Sequence, residues 1–196
     1  MTPPQTKRSL GTFPLLYPQP ALMVTTYDTN DKPTVMLAAW GGICSSEPPC
    51  LYVSVRPKRW THPGILQHKA FTVGIPSEAM LEAADMTGLV SGRTHDKFAI
   101  GNLTVAKAEH VDAPYVVECP VVIECQLLQT VEIGSHTLMI GSIMDVKADE
   151  DTLLANGKPD IQKVAPLIFD WGSRAYYGIG KHLGDAYSVG KKILKT

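Results

Sequence analysis

Four cysteines are too few, and too unevenly spaced, for the common cysteine chemistries. Cys44, Cys50, Cys119 and Cys125 form no CxxC pair, so neither a zinc ribbon nor a thioredoxin-type dithiol is indicated. The six histidines make no HxH or HExxH cluster, and no metal site is expected. No stretch approaches the roughly 18 uninterrupted apolar residues of a membrane-spanning helix. Charge of one sign is missing too: 18 basic residues face 19 acidic ones, for a net charge of −1. Sequence-independent nucleic-acid binding needs a net basic surface, so it is not expected. Lys7 and Arg8 precede an apolar stretch, but Pro14, Pro18 and Pro20 interrupt it and no small-residue cleavage site follows. A soluble, cytoplasmic protein without membrane or nucleic-acid partners is the expectation.

What is present is a globular composition, 44% hydrophobic and 19% charged over 196 residues. That length suits one domain with a proper core. Residues 1–20 are proline-rich and are expected to form an extended arm, with a single domain over 21–196. Strand-like runs rich in Val, Ile, Thr and aromatics recur at 21–27, 34–44, 51–56, 70–75, 103–108, 121–131, 137–147 and 161–171, bounded by Gly, Pro, Asn or Asp. Gly134 and Ser135 read as a tight hairpin connection, and 28–33 as a longer polar turn. Helical patterns are short: 62–68, with Thr61 as N-cap, and 78–86, with Ser77 as cap and Gly88 as terminator. Strands dominate without alternating with helices, which favours a closed or nearly closed antiparallel barrel over a doubly wound sheet. Cys119, Val121, Ile123 and Cys125 alternate with Pro120, Val122, Glu124 and Gln126, so on a strand both cysteines would share one face with two aliphatics and read as buried thiols.

Three elements could carry chemistry. In the first, Arg56, Lys58 and Arg59 sit where a strand hands over to a helix start. Unpaired N–H groups and the positive end of the helix dipole meet there, so a phosphate would be well held. A solvated basic turn is the plainer alternative. In the second, Gly88, Ser91, Gly92 and Arg93 lead into Lys97, allowing close backbone approach to a ligand and adding cations; its Gly-Lys-Ser/Thr ending is missing, so it is no Walker A loop. In the third, small residues flank Trp40 from Met36 to Ser46. Such a rail leaves main-chain groups open to the edge of a planar heterocycle; a β-bulge or close inter-strand contact at Gly41 and Gly42 would also explain it.

These elements, in this order, resemble the flavin reductase-like FMN-binding split-barrel family, and its flavoredoxin branch in particular. The resemblance is carried by Ala39, Trp40, Ser45 and Ser46, then Glu47 to Pro49, and Tyr52 to Arg56 with Arg59 and Thr61. Further on come Phe71 to Gly74, Asp85 with Gly88, Ser91 to Arg93, Asp96 to Phe98, and Tyr176 to Gly180. It implies a mainly β fold, an antiparallel Greek-key split barrel with a few short helices, assembled as a homodimer with one FMN near each interface. It also implies roles. Ala38, Ala39 and Trp40 would line the isoalloxazine, and Ser54 and Val55 would contact the flavin and ribityl chain. Arg56, Arg59, Thr61 and Lys97 would hold the phosphate, while Ser91 and Gly92 close over the cofactor. Relatives usually carry Asn where this chain has Thr34, so the resemblance does not carry over that polar contact.

In such a site the cofactor does the redox chemistry and the protein orients it. No catalytic side chain is assigned, and Cys44 is only a weak redox candidate, read more simply as core. The expected function is an FMN-dependent oxidoreductase. It would act either as an NAD(P)H:flavin or ferric reductase or as a flavoredoxin-like carrier for another redox protein, with NAD(P)H as transient donor. The alternative is a non-catalytic FMN-binding or storage protein. Gly178, Gly180 and Gly184 imitate a dinucleotide fingerprint, yet only residues 185–196 follow, too few for the strand and acidic residue a Rossmann unit needs.

Overall fold

In a computed structural model, residues 6–195 are described; the first five residues of the expected arm lie outside them. The chain runs through β1 (Gln19–Pro20), β2 (Leu22–Tyr27), β3 (Pro33–Ala38), β4 (Gly41–Ser46) and β5 (Pro49–Val55), then α1 (Thr61–His68) and β6 (Ala70–Ile75). After a 3-10 turn come α2 (Leu81–Leu89), α3 (Lys97–Gly101), β7 (Val105–Lys107) and β8 (Pro114–Val116). The long hairpin β9 (Val121–Ile133) and β10 (His136–Ala148) follows, then α4 (Ile161–Val164), β11 (Ile168–Asp170) and β12 (Ala175–Tyr177).

Seven strands form one antiparallel sheet in the order β3-β2-β6-β9-β10-β5-β4. Alternation along each strand gives the sheet two apolar faces. Leu22 and Val24 of β2 share an interior with Met36, Val53, Phe71, Cys125 and Met139, drawn from β3, β5, β6, β9 and β10. A cluster fed from six strands means that the sheet curls around a common core, the split barrel. The intervening residues Met23, Val35 and Val122 face outward and are covered by Met80, Ala84 and Phe98 of the α2–α3 region. Each large aliphatic or aromatic side chain fully buried in these layers contributes on the order of 1.5–3 kcal/mol.

Several local expectations need correction. The run 34–44 is two strands, because Ala39 and Trp40 break it into β3 and β4. The run 161–171 begins as helix α4: the Asp160 side chain accepts from Gln162 N–H, and only Ile168–Asp170 is strand. Trp60, not Thr61, stands at the N-cap of α1 and provides no side-chain cap bond. Ser77 stands at the N-cap of the 3-10 turn Glu78–Met80, likewise without a side-chain cap bond, and α2 runs through Gly88 to Leu89. Cys119 precedes β9 and packs outward against Met23, whereas Cys125 sits inside the barrel, so the two thiols lie in different layers. Both are buried as expected, and burial pushes Cys119 up to about 12. Cys44, by contrast, is exposed on edge strand β4.

The β9–β10 hairpin turns where expected, with Gly134 at φ 53°. The 28–33 turn is held by the Asp28 carboxylate, which accepts from the Asn30 and Lys32 N–H groups at 2.8 and 3.0 Å. Among the described residues no helix is long and apolar enough to cross a membrane, and no cluster of His, Cys, Asp or Glu could hold a metal.

Candidate functional site

The break between β3 and β4 creates the site. Trp40 O accepts from Ser54 N–H at 2.7 Å, pinning the kinked segment to β5. Gly41 beside it is closely packed, since a Cβ there would come within 2.6 Å of the Leu22 side chain and 3.0 Å of Tyr52 O. The close-contact reading of this glycine is therefore correct, and the small-residue rail coexists with it. Ala38, Ala39, Trp40, Ser54, Arg56 and Arg59 line a cleft of about 680 Å³. Adjoining it is a smaller cavity of about 210 Å³, lined by Arg59, Thr61, Ser91, Gly92 and Lys97. The two share Met36, Arg59 and Leu89, so one ligand can reach from cleft to pocket.

Ten of the eleven expected residues thus fall on one connected surface. Val55 does not: it is fully buried in the barrel core and lines neither cavity. Arg56 lines the cleft but not the small pocket, and its Nε–H donates to His136 Nε2 at 3.4 Å. Thr61 is buried, with its hydroxyl directed at Met36 Sδ, 2.8 Å away.

The small pocket has the charge an anion requires. Lys97 is buried and donates to Val35 O at 2.8 Å and Thr87 O at 2.6 Å. An ammonium has three donors, so one is left over. Burial, helped by the nearby Arg59 guanidinium, lowers Lys97 to about 8. The Arg59 side chain has no hydrogen bond or ion pair among the described residues. Gly92 closes the pocket from the second loop: a Cβ there would meet Thr34 Oγ1 at 2.8 Å and Trp60 Cδ1 at 2.9 Å. A buried cation without a carboxylate, beside a second free cation and a glycine that permits close approach, fits a phosphate group. A third cavity of about 440 Å³, lined by Asp28, Lys32, Arg93 and His95 among others, lies across Trp60 and Gly92. It touches none of the small-residue rail.

Sequence reasoning missed several cleft residues. His136, from the β9–β10 turn, stacks on Trp40 with ring centres 6.4 Å apart and an interplanar angle of 11°. Burial, then the Arg56 charge, lowers its pKa and favours the neutral ring. Its Nε2 accepts from Arg56, which leaves Nδ1 to donate to Ser135 Oγ at 2.8 Å. The far end of the chain lines the same cleft, through Phe169, Trp171, Arg174 and Tyr176. Tyr176 donates to Asp85 at 2.8 Å, clasping β12 to α2, and burial followed by that bond raises the tyrosine pKa. The aromatic spacing of 169–176 was the available signal, hidden because 161–171 reads as one strand. The glycines at 178, 180 and 184 lie in a segment without helix or strand, so no dinucleotide-binding turn forms there.

The chain belongs to the flavin reductase-like domain family, whose model matches residues 15–175. Within it, the chain is similar to flavoredoxin of Desulfovibrio vulgaris (Miyazaki F), with 49% identity over 94% of this chain and 100% of that one, at a TM-score of 0.90. Flavoredoxin from Methanosarcina acetivorans matches at 28% identity, covering 96% and 100% of the two chains, also at 0.90. An uncharacterised protein of Archaeoglobus fulgidus is 34% identical over 131 residues, 67% of this chain and 73% of its own length.

Proposed function

We propose that the chain is an FMN-dependent oxidoreductase that passes hydride or electrons through a bound flavin. The carrying observation is the continuity of the 680 Å³ cleft, floored by Ala38, Ala39 and Trp40, with the cationic pocket of Arg59 and Lys97. When bound, FMN supplies the redox chemistry. The chain's own residues do the rest. Arg59, Lys97 and the Ser91–Gly92 segment hold the phosphate; the rail and Ser54 offer main-chain groups to the ring edge. Trp40, backed by His136, fixes one border of the cleft, and Arg56 reaches the same surface from the turn after β5. Residues 21–196 act as a single domain, in a cytoplasmic homodimer, with NAD(P)H as donor. The acceptor is free flavin, ferric iron or a redox partner protein.

Purified protein should be yellow or take up added FMN, and should bleach anaerobically with NAD(P)H. Bleaching by dithionite alone would reduce the reading to a carrier or storage protein. A colourless preparation that ignores added FMN would remove the flavin altogether.

A further inference from the structure

The third cavity stands apart from the cleft. No residue lines both, and it meets the phosphate pocket only across the wall of Thr34, Trp60, Gly92 and Lys97. Its volume of about 440 Å³ suits a whole small molecule. Both carboxylates on its border are engaged by N–H donors. Asp28 accepts from the Asn30 and Lys32 N–H groups and from the Trp60 indole at 3.1 Å. Asp96 accepts from the Phe98 and Ala99 N–H groups, each at 3.1 Å. The cations are not so engaged. Lys32 and Arg93 are exposed, and neither side chain has a hydrogen bond or ion pair among the described residues. The Arg93 guanidinium lies 5.2 Å from the Trp60 ring centre, a contact that leaves its N–H donors open. His95 pairs through Nδ1 with the Thr94 hydroxyl at 2.8 Å, and its Nε2 has no partner among the described residues.

A guanidinium and an ammonium with open donors suit the oxygens of a phosphate. Pro33 and Val105 add apolar surface to the same cavity, so a flat base attached to that phosphate has a place to lie. We propose that the third cavity is a second anion site, built for a nucleoside phosphate, with Lys32 and Arg93 holding the phosphate. None of the roles given to the flavin site uses either residue. Two sources have this chemistry. One is a free nucleotide, bound beside the loaded flavin. The other is a nucleotide joined to the flavin through its phosphate, as in FAD, because the spaces run in order from rail to phosphate pocket to third cavity. Only the second source rests on the flavin reading.

Two paired calorimetric titrations test it. The FMN-loaded protein is titrated with adenosine 5′-monophosphate and, separately, with adenosine; the flavin-free protein is titrated with FAD and with FMN. In at least one pair the first ligand should bind about tenfold tighter than the second, as a charge-assisted contact partly open to water allows. Whichever pair shows the advantage names the source. Lys32→Ala combined with Arg93→Ala should erase that advantage and leave FMN affinity unchanged. If neither pair shows an advantage, or if it survives in the double variant, the inference is wrong. It is equally wrong if the double variant loses FMN as well, since the two cations would then serve the phosphate pocket. Should the double variant fail to fold, the wild-type advantage must still shrink as ionic strength rises, and a salt-independent advantage overturns the site. If FMN does not bind at all, the flavin reading fails by itself, and the adenosine pair, run on flavin-free wild type and double variant, still decides whether the third cavity takes a nucleotide.

Discussion

Two lysines in this molecule are drawn out of water, and their surroundings treat them in opposite ways. Lys147, on β10, lies 2.8 Å from Glu109 and 3.1 Å from Glu124, with the Tyr115 ring 5.8 Å away. The bond to Glu109, with Glu124 behind it, raises its pKa above the ordinary lysine value. Burial opposes ionisation of Glu124, yet the His110 N–H at 2.8 Å and the Lys147 ammonium outweigh it and hold that carboxyl below its usual range. Lys97 meets only carbonyl oxygens and a neighbouring arginine, and its pKa falls to about 8. The first lysine has its counter-charge built into the fold. The second lacks one, and that deficit is what a ligand phosphate would fill.

The contrast can be broken most forcefully at Glu124. Glu124→Ala leaves Lys147 short of one carboxylate and removes the acceptor of the Glu109 and His110 N–H groups, so stability should fall by about 2 kcal/mol in chemical denaturation. FMN affinity of the folded fraction should not change. The sign with pH follows from the lowered carboxyl: wild type keeps this contribution above the unfolded carboxylate value, near 4.3, and loses it as pH falls through the folded one. The variant's stability should be flatter on acidification, and an equally steep curve would count against the ion pair.

Arg59→Ala is the opposite case. Its side chain is exposed and has no protein partner, so the melting temperature should stay put. FMN binding should weaken roughly tenfold to a hundredfold, the worth of one charge-assisted phosphate contact. Unchanged FMN affinity would remove Arg59 from the phosphate site.

A subtler distinction comes from titrating Lys97. Its folded pKa lies below the unfolded lysine value near 10.4, so the FMN-free protein should gain stability as pH rises from about 8 toward that value. A phosphate beside Lys97 favours the charged form, so FMN affinity should fall over the same interval, by up to about tenfold per pH unit. Opposed slopes above pH 8 are the signature; parallel slopes would separate Lys97 from the ligand.

Much of this site could be read from the chain because its parts are local. Arg59 and Thr61 follow β5 within a single turn, Ala38 to Trp40 are contiguous, and Lys97 begins α3 directly after the Ser91–Gly92 loop. Strand alternation likewise gave most of the barrel. The partners that tertiary folding supplies were not legible. His136 meets Trp40 from 96 residues away, since 136 less 40 is 96, and the carbonyls that hold Lys97 belong to β3 and α2. The four-residue helix after Asp160 follows from one capping carboxylate, which outweighed a run of β-formers at 161–171. On the strand Val55 alternates with Ser54, so its side chain turns into the core while Ser54 lines the cleft.

The pairing of Gln19 with Phe169 has a consequence for how the molecule is made. One border of the cleft exists as soon as the first five strands have left the ribosome, but the other waits on a segment 150 residues later (169 less 19). Closing so long a loop comes late in assembly. A nascent chain halted before β11 would therefore own a floor and an anion cradle with no facing wall, open to any flat molecule that wandered in.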